Sequence, residues 1–214
     1  MYIGHFAIAY VLIRLAPGVP PIVPLIGVGF PDILWPILIL IGVEKAELNP
    51  NSPLQKDVRF TSYPYSHSLV ISLIISCIAG LILAFIISPI AGVIFVIASV
   101  SHWFLDAVVH LKDLPITGFR NGRKVGLGLW NYPRLTFIIE FIFYALVVLL
   151  VIPRAYILPL LILGIAGHML NASSVFEFTK TNPFKSIKLY AIFCIIGFVM
   201  FSLIANYVLG SYIV

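Results

Sequence analysis

The stretch PIAGVIFVIASVSHWFLDAVVHLKD, residues 89–113, decides the fold class because it joins a long apolar segment to ionisable side chains. A helix needs roughly 20 mostly apolar residues to cross the hydrocarbon core of a bilayer. About a dozen apolar residues come first, and His102, Asp106 and His110 then follow at intervals of four. The stretch therefore predicts a transmembrane helix with a polar cluster near one end.

The composition of the whole chain indicates a polytopic membrane protein of the all-α class. Of its 214 residues, 61% are hydrophobic and 10% are charged, whereas soluble domains contain about 25% charged residues. Hydropathy predicts seven transmembrane helices, or six if the short first segment is re-entrant. The predicted segments are 2–16, 20–43, 66–88, 89–111, 133–152, 155–177 and 187–210. Because no linker or repeat divides the chain, we expect one integral membrane domain, 1–214.

Prolines mark the second segment. Pro20, Pro21, Pro24, Pro31 and Pro36 lie in or beside it, and an interior proline lacks the N–H group that a helix uses for its hydrogen bonds. We therefore expect a bundle whose second helix is broken or kinked. The third and fourth segments are separated only by the letters ISPIAG, which leave room for a tight hairpin.

Basic residues are distributed unevenly between the two sides of the predicted bundle. With seven spans, the even-numbered connections contain eleven Lys and Arg residues and the odd-numbered ones contain two. Because cytoplasmic loops are enriched in these residues, we expect an integral cell-membrane protein with its N-terminus in the cytoplasm and its C-terminus outside. The pI near 9.3 then reflects topology and anionic lipids rather than nucleic-acid binding.

Ionisable residues inside the apolar segments are the strongest indication of function. Asp32, Asp106 and Glu140 lie in such segments, where an unpartnered carboxylate costs about 2.5–3.5 kcal/mol. On one helix, His102, Asp106 and His110 share an arc of about 80°. The predicted topology brings all the intramembrane acids and four histidines to the cytoplasmic half of the bundle. The predicted cluster is His5, Asp32, His67, His102, Asp106, His110 and Glu140.

This set of side chains suits a metal ion. Imidazole and carboxylate without thiolate favour Zn²⁺ or another first-row divalent ion, and a proton-handling site is the alternative. His168 is expected to make only a hydrogen-bonded contact between helices. Cys77 and Cys194 lie in apolar segments and are interpreted as small buried hydrophobic residues.

The connections between segments contain the remaining acids. Glu44, Glu47, Asp57, Asp113 and Glu177 lie there, and we expect them to be solvated.

Other polar residues lie at the ends of segments. Ser66 is interpreted as a helix N-cap next to His67, and a serine nucleophile is disfavoured because no orienting group or oxyanion motif accompanies it. Trp130 and Tyr132 are interpreted as interfacial anchors. A basic run could hold a phosphate headgroup over the site, or could simply mark the cytoplasmic side. Its members are Arg120, Arg123 and Lys124.

Five motifs resemble, in order, segments of the YdjM-like membrane-bound metal-dependent hydrolases of bacteria and archaea. The motifs are IGHFAIAYVLIR, GFPDILWP, YPYSHSL, SHWFLDAVVHLKDLP and KVGLGLWNYPRLTFIIE. The resemblance covers residues 1–145, which contain the predicted metal site, and residues 146–214 contribute additional helices. In ligand order that family is similar to the zinc-dependent phospholipase C and single-strand nuclease superfamily.

The resemblance implies a ligand set and the roles of some of its members. It implies that Asp106 bridges toward His5, and that Asp32 bridges toward the site of His110 and Glu140. The implied ligands are His5, Asp32, His67, His102, Asp106, His110 and Glu140. In the soluble superfamily a further ligand histidine stands where Thr136 stands here, and a chelating tryptophan stands in place of Met1–Tyr2. We therefore expect one or two ions, most simply zinc, rather than three.

These observations lead to a hypothesis about function. We expect a metal-dependent hydrolase, a phosphoesterase that acts on a lipid or lipid-linked substrate at the cytoplasmic leaflet, with Asp32 or Glu140 orienting the attacking water. No protein or nucleic-acid partner is inferred. The alternatives are a transporter or channel for protons or divalent metal, and a non-catalytic scaffold that binds a structural metal.

Overall fold

The structure, a computed structural model, describes residues 1–119 and 122–210, which are mostly helical. The helices are α1 (Ile3–Leu15), α2 (Ile22–Leu40), α3 (Leu69–Ile86), α4 (Pro89–Val109), α5 (Pro133–Val151), α6 (Arg154–Leu170), α7 (Ser173–Phe176) and α8 (Ile187–Leu209). Two short antiparallel pairs of strands lie in the connections. They are β1 (Lys45–Glu47) with β2 (Arg59–Ser62), and β3 (Leu114–Pro115) with β4 (Lys124–Val125). The predicted helical class is confirmed.

Within the described ranges, five helices are long and apolar enough to cross a membrane: α2, α3, α4, α5 and α8. Their presence is consistent with a membrane protein. Helices α1 and α6 are apolar but shorter, with 13 and 17 residues. At about 1.5 Å per residue they reach about 20 and 25 Å, against a hydrocarbon core of about 30 Å. A count of six or seven spans therefore stays a prediction, as does the orientation of the termini.

Helix α1 lies at the centre of the bundle. Nine of its thirteen residues are buried, and it packs against α2, α4, α5 and α6. Phe6 stacks on Phe201 of α8 with ring centroids 4.1 Å apart. The hydroxyls of Tyr10 and Tyr144 of α5 are hydrogen-bonded at 3.1 Å. His5, in the first turn of α1, is therefore completely enclosed.

Helix α2 is continuous from Ile22 to Leu40, so of the two expected forms, broken or kinked, the broken one is wrong. Pro31 and Pro36 both lie inside it. A proline removes one backbone donor, and packing of α2 between α4 and α8 compensates for that loss. The contact with α4 is close enough that a Cβ on Gly27 would lie 2.7 Å from the Cβ of Ala98. Asp32 is held between the two prolines on this helix.

The predicted tight hairpin between the third and fourth segments is present. Helix α3 ends at Ile86 and α4 begins at Pro89. The Ser88 hydroxyl caps α4 by accepting a hydrogen bond from the Ala91 N–H at 3.2 Å. The two helices then cross at a pair of glycines, where a Cβ on Gly92 would lie 2.3 Å from the Gly80 carbonyl oxygen. The position of α4 is thus fixed by direct backbone contact.

The connection 112–132 folds back over the end of α4. The Gly128 N–H donates to the His110 carbonyl at 2.8 Å. The backbones approach so closely that a Cβ on Gly126 would lie 1.4 Å from the Leu111 carbonyl oxygen. Only glycine fits at this position, and the connection thereby holds His110 at the end of the helix.

Candidate metal centre

Asp106 is the centre of a buried cluster and is only 2% exposed. Its Oδ1 lies 3.3 Å from His5 Nε2, and its Oδ2 lies 3.1 Å from His102 Nε2. The same Oδ2 is 3.7 Å from His67 Nε2 and 3.6 Å from His110 Nε2. One carboxylate on α4 therefore faces four imidazoles, which come from α1, from α4 and from the segments just before α3 and just after α4.

Asp32 supplies the second carboxylate, from α2. Its Oδ1 lies 3.2 Å from His67 Nε2, and its Oδ2 lies 3.6 Å from His102 Nε2. Its side chain is 19% exposed, against 3% for that of Asp106. The two carboxylates thus approach the same imidazoles, and Asp32 is the more exposed of the two.

Two groups of these side chains could hold a metal ion. They are His5 with His102 and Asp106, and Asp32 with His67 and His102, and in each group the donor atoms lie within 4.8 Å of one another. Both groups use His102, whose Nδ1 is hydrogen-bonded to the Val28 carbonyl at 2.7 Å. Only Nε2 of His102 is therefore free to be a ligand. Since that nitrogen can bind only one ion, the two groups either share a single ion or are filled one at a time.

The hydrogen bonds of His102 and His110 indicate which ring nitrogen faces the cluster as an acceptor. The Val28 carbonyl and the Asp113 carboxylate can only accept, so His102 and His110 must donate to them from Nδ1. In a neutral ring, Nε2 then presents a lone pair toward Asp106. Lone pair and carboxylate repel each other unless a cation lies between them, so these donors fit a divalent ion.

Three ring nitrogens of the described cluster are unsatisfied. Both nitrogens of His5, and Nε2 of His102, are buried without a hydrogen-bond partner. The two rings are stacked with centroids 3.7 Å apart. Since buried polar atoms are normally hydrogen-bonded or bound to a metal, this is a second feature that fits a bound cation.

Glu44 is a residue of the site that sequence reasoning missed. The prediction that it is solvated is wrong, because it is 2% exposed. Its Oε1 accepts from the N–H groups of Tyr65 and Ser66 at 2.8 and 3.0 Å, and its Oε2 accepts from the Ser66 hydroxyl at 2.6 Å. Ser66 Oγ in turn lies 2.8 Å from His67 Nδ1. Glu44 and Ser66 are 22 positions apart, so no local spacing could indicate this contact.

The assignment of Ser66 as a helix N-cap is also wrong. Ser68 is the N-cap of α3, and its hydroxyl accepts from the Ile71 N–H at 3.2 Å. The segment between β2 and α3 is held by Glu44 instead, so the Ser66 side chain points to His67 rather than to the helix. This leaves Ser66 with a supporting role beside the predicted ligand.

Asp113 differs from its predicted solvated state as well. Its Oδ1 lies 3.1 Å from His110 Nδ1, and its side chain is 28% exposed. Burial alone would raise the pKa of Asp113, but the hydrogen bond from His110 outweighs burial and lowers the pKa below its usual value. Glu47 and Glu177 are exposed, as predicted.

Glu140 lies outside both metal-binding groups and contacts the beginning of α1. Its Oε1 accepts from the N–H groups of Tyr2 and Gly4 at 2.5 and 3.0 Å. The first N–H groups of a helix have no partner within it, and the helix dipole favours a carboxylate there. Glu140 therefore fixes the end of α1 that carries His5. Thr136, one turn earlier, donates to the Leu129 and Tyr132 carbonyls at 2.7 and 3.0 Å.

The amino group of Met1 lies against the same cluster. It donates to Asp106 Oδ1 at 2.9 Å. Burial alone would lower its pKa, but the negative charges of Asp106, Glu140 and Asp32 outweigh burial and raise the pKa above the usual value. The carboxylates thus create a negative field that stabilises a cation at this depth.

A cavity of about 230 Å³ opens above the cluster. Asp32, His67, Asp106 and His110 line it, and so does Lys56, which is exposed. The walls are mainly aromatic. They include Trp35, Phe60, Trp130, Phe137, Phe184, Tyr190, Phe193 and Phe198. The cavity therefore connects buried carboxylates to the protein surface through an apolar passage.

The C-terminal helices form one wall of this cavity, a contribution that the sequence did not reveal. Cys194, Gly197 and Phe198 of α8 line it, together with residues of the connection between α6 and α8.

The interpretation of Cys77 as buried is wrong, because it is exposed on α3. On a membrane helix such an exposed face meets lipid, which accepts a small apolar side chain as readily as a core does.

Two of the three predicted basic residues do not line the cavity. Arg123 and Lys124 are exposed, and neither belongs to the lining found in the described part of the chain. Arg120 lies outside the described residues. Lys56 is a basic residue that does line the cavity, and it was overlooked because the connection around it has no recognisable motif.

His168 and Trp130 are two further ring side chains near the site. His168 donates from Nε2 to the Phe137 carbonyl of α5 at 3.0 Å, which is the predicted contact between helices. Trp130 lies with its ring centroid 4.2 Å from that of His110 and lines the cavity, and its role as an interfacial anchor stays a prediction.

Comparison with known proteins adds nothing to this geometry: no family model, no curated protein and no solved structure matches the chain.

Proposed function

We propose that this protein is a membrane-embedded metal-dependent hydrolase, a phosphoesterase acting on a lipid or lipid-linked substrate at the cytoplasmic leaflet. One observation supports this most. A histidine–aspartate cluster that could hold a metal contributes side chains to an aromatic-walled cavity that reaches the surface. The resemblance to the YdjM-like hydrolases, and through them to zinc-dependent phospholipases, points the same way.

The three carboxylates in and beside the cluster are suited to different chemical roles. A divalent ion held there would supply a water of lowered pKa and a positive charge for a phosphoryl oxygen. Asp106 is enclosed and faces four imidazoles, so it is suited to hold the ion. Asp32 is partly exposed and lines the cavity, so it is the carboxylate best placed to accept a proton from the attacking water. Glu140 is less suited, since its Oε1 already accepts two hydrogen bonds from α1.

The cavity suggests how a lipid phosphate would be held. The ammonium group of Lys56, an exposed residue of the lining, can pair with an anionic headgroup, while the aromatic side chains of the walls contact its apolar carbon atoms. At about 230 Å³ the cavity is smaller than typical sites for drug-sized ligands. We therefore propose that the headgroup and its first carbons enter, while the acyl chains stay in the bilayer.

A transporter would need polar side chains that continue from the cluster to the other end of the bundle. Beyond His5, the buried residues of α1 are apolar except for Tyr10, whose hydroxyl is occupied by Tyr144. We therefore favour hydrolysis over ion transport.

The test is to purify the protein, measure bound metal, and assay release of phosphate or headgroup from a panel of phospholipids in vesicles. We expect stoichiometric metal and turnover in the wild type, and loss of both in His102→Ala and Asp106→Ala. His168→Gln is the matched control, because His168 is equally buried but lies outside the cluster. It should keep both metal and activity.

Three outcomes would contradict the proposal in different ways. A wild type without metal, and unchanged stability in both cluster variants, would remove the site. Stoichiometric metal without turnover on the panel would favour the scaffold. Metal flux into liposomes would favour the transporter.

A further inference from the structure

Glu44 and Ser66 form a chain of hydrogen bonds that ends on His67. Glu44 Oε2 lies 2.6 Å from Ser66 Oγ, and Ser66 Oγ lies 2.8 Å from His67 Nδ1. All three side chains are buried, with exposures of 2%, 0% and 5%. Beyond them, His67 Nε2 faces Asp32 and Asp106 at 3.2 and 3.7 Å. The chain therefore joins a buried acid outside the cluster to a side chain within it.

The direction of each hydrogen bond in this chain is determined by chemistry. A carboxylate has no hydrogen to give, and a serine hydroxyl has one. The Ser66 hydrogen is therefore donated to Glu44, and Ser66 Oγ can only accept from His67. It follows that Nδ1 of His67 carries a proton, which leaves Nε2 as the nitrogen that can bind a metal.

We infer that Glu44 is a positioning residue, which acts through Ser66 to hold His67 in the tautomer and orientation that bind metal at Nε2. The inference rests on the metal centre of the proposed function. It assigns a role to a buried acid that makes no contact with the cluster itself. Outer partners of this kind commonly change metal affinity by about 10–100-fold.

The backbone around Glu44 makes the substitution Glu44→Gln a specific test. The N–H groups of Tyr65 and Ser66 both donate to Oε1, so a glutamine must keep its carbonyl oxygen at that position. Its NH₂ group then takes the place of Oε2 and donates to Ser66 Oγ. The Ser66 hydrogen has then lost its acceptor, and donating it to His67 Nδ1 moves the ring proton to Nε2; a proton kept on Nδ1 would leave the buried Ser66 hydrogen unpaired.

Glu44→Gln should therefore place a proton on His67 Nε2, the nitrogen that would bind the metal. The substitution keeps the size and most contacts of the side chain at position 44. We expect Zn²⁺ affinity, measured by competition with a chelator, to fall about 10–100-fold. NMR of the labelled imidazole nitrogens in the metal-free protein should show the His67 proton on Nδ1 in the wild type and on Nε2 in the variant. Ser66→Ala, which removes the acceptor, should also weaken binding.

The matched control is Glu47→Gln, which removes the same charge from an exposed position of the same connection. It should leave both the affinity and the His67 tautomer unchanged. The inference would be overturned if Glu44→Gln kept wild-type affinity with the proton still on Nδ1, or if metal-free wild type carried no proton there. A wild type that binds no Zn²⁺ contradicts the proposed function instead, and the NMR comparison still decides the role of Glu44.

Discussion

At the scale of single residues, Asp106 would be among the most costly side chains in the molecule without a positive partner. A carboxylate taken out of water is tolerated when it is paired and hydrogen-bonded. Here the two oxygens of Asp106 are divided, with Oδ1 toward His5 and the Met1 amino group, and Oδ2 toward His102. This division makes Asp106 suitable as a bridging ligand.

Asp113 gives a prediction at the same scale. Its pKa is lower in the folded protein than the ordinary value of 3.8 because of His110. The ionised side chain therefore stabilises the folded state above about pH 3.8, and this contribution is lost as the pH falls through the folded-state pKa. We expect Asp113→Asn to lower the free energy of unfolding by about 1.5 kcal/mol at pH 7.

Thermal or denaturant unfolding in detergent at several pH values measures this effect. The difference between wild type and Asp113→Asn should shrink as the pH is lowered below 4, roughly the pKa of a free aspartate. Glu47→Gln, at an exposed position, should show no such difference. A difference independent of pH would contradict the assigned interaction with His110.

At the scale of elements, α4 shows how much of the site could be predicted from spacing. The intervals of four residues predicted that His102, Asp106 and His110 share one face. The structure agrees, although His110 lies just past the last helical residue. Its Nε2 still lies 3.6 Å from Asp106 Oδ2. Periodicity is a property of the chain within one helix, so it can be read directly.

Contacts between distant segments could not be predicted in this way. Glu44 reaches Ser66 because β1 and β2 pair, and α8 reaches the cavity because it packs on α2. Neither contact has a local pattern in the sequence. The prolines of α2 likewise did not predict its course, because packing against neighbouring helices also decides whether a helix continues past a proline.

The loop that holds His110 leads to a prediction at this scale. Gly126→Ala would bring a Cβ to 1.4 Å from the Leu111 carbonyl oxygen, so the backbone must move. We expect the variant to lose about 3 kcal/mol of stability, measured by thermal unfolding. Gly18→Ala is the control, because nothing lies within 4 Å of the added Cβ there. Equal stability of the two variants would show that the loop backbone can move to accommodate the added Cβ without loss of folding stability.

At the scale of the whole molecule, the cavity is lined by residues from both the N-terminal and the C-terminal parts of the chain. The part formed by the cluster comes from α2, α4 and the segment before α3, whereas one wall comes from α8. Access to the cluster and assembly of the cluster therefore depend on different parts of the sequence. A substitution in the wall can therefore change access to the cluster without changing how the cluster is assembled.

Cys194→Trp tests this separation. The side chain lines the cavity, so a bulky ring there should obstruct the substrate and lower kcat/KM for lipid hydrolysis about tenfold or more. Metal content, measured on the same sample, should remain that of the wild type. Cys77→Trp, on the exposed face of α3, should leave both unchanged. Full activity of Cys194→Trp would mean that substrate does not enter by this cavity.

The central position of α1 also determines when the molecule can be completed during its synthesis. Glu140 is 136 positions after Gly4, and the Tyr2 hydroxyl donates to a carbonyl 195 positions away. A short apolar helix therefore leaves the ribosome well before the helices that enclose it exist. The site around His5 and Asp106 is therefore enclosed only after α5 and α8 have been made.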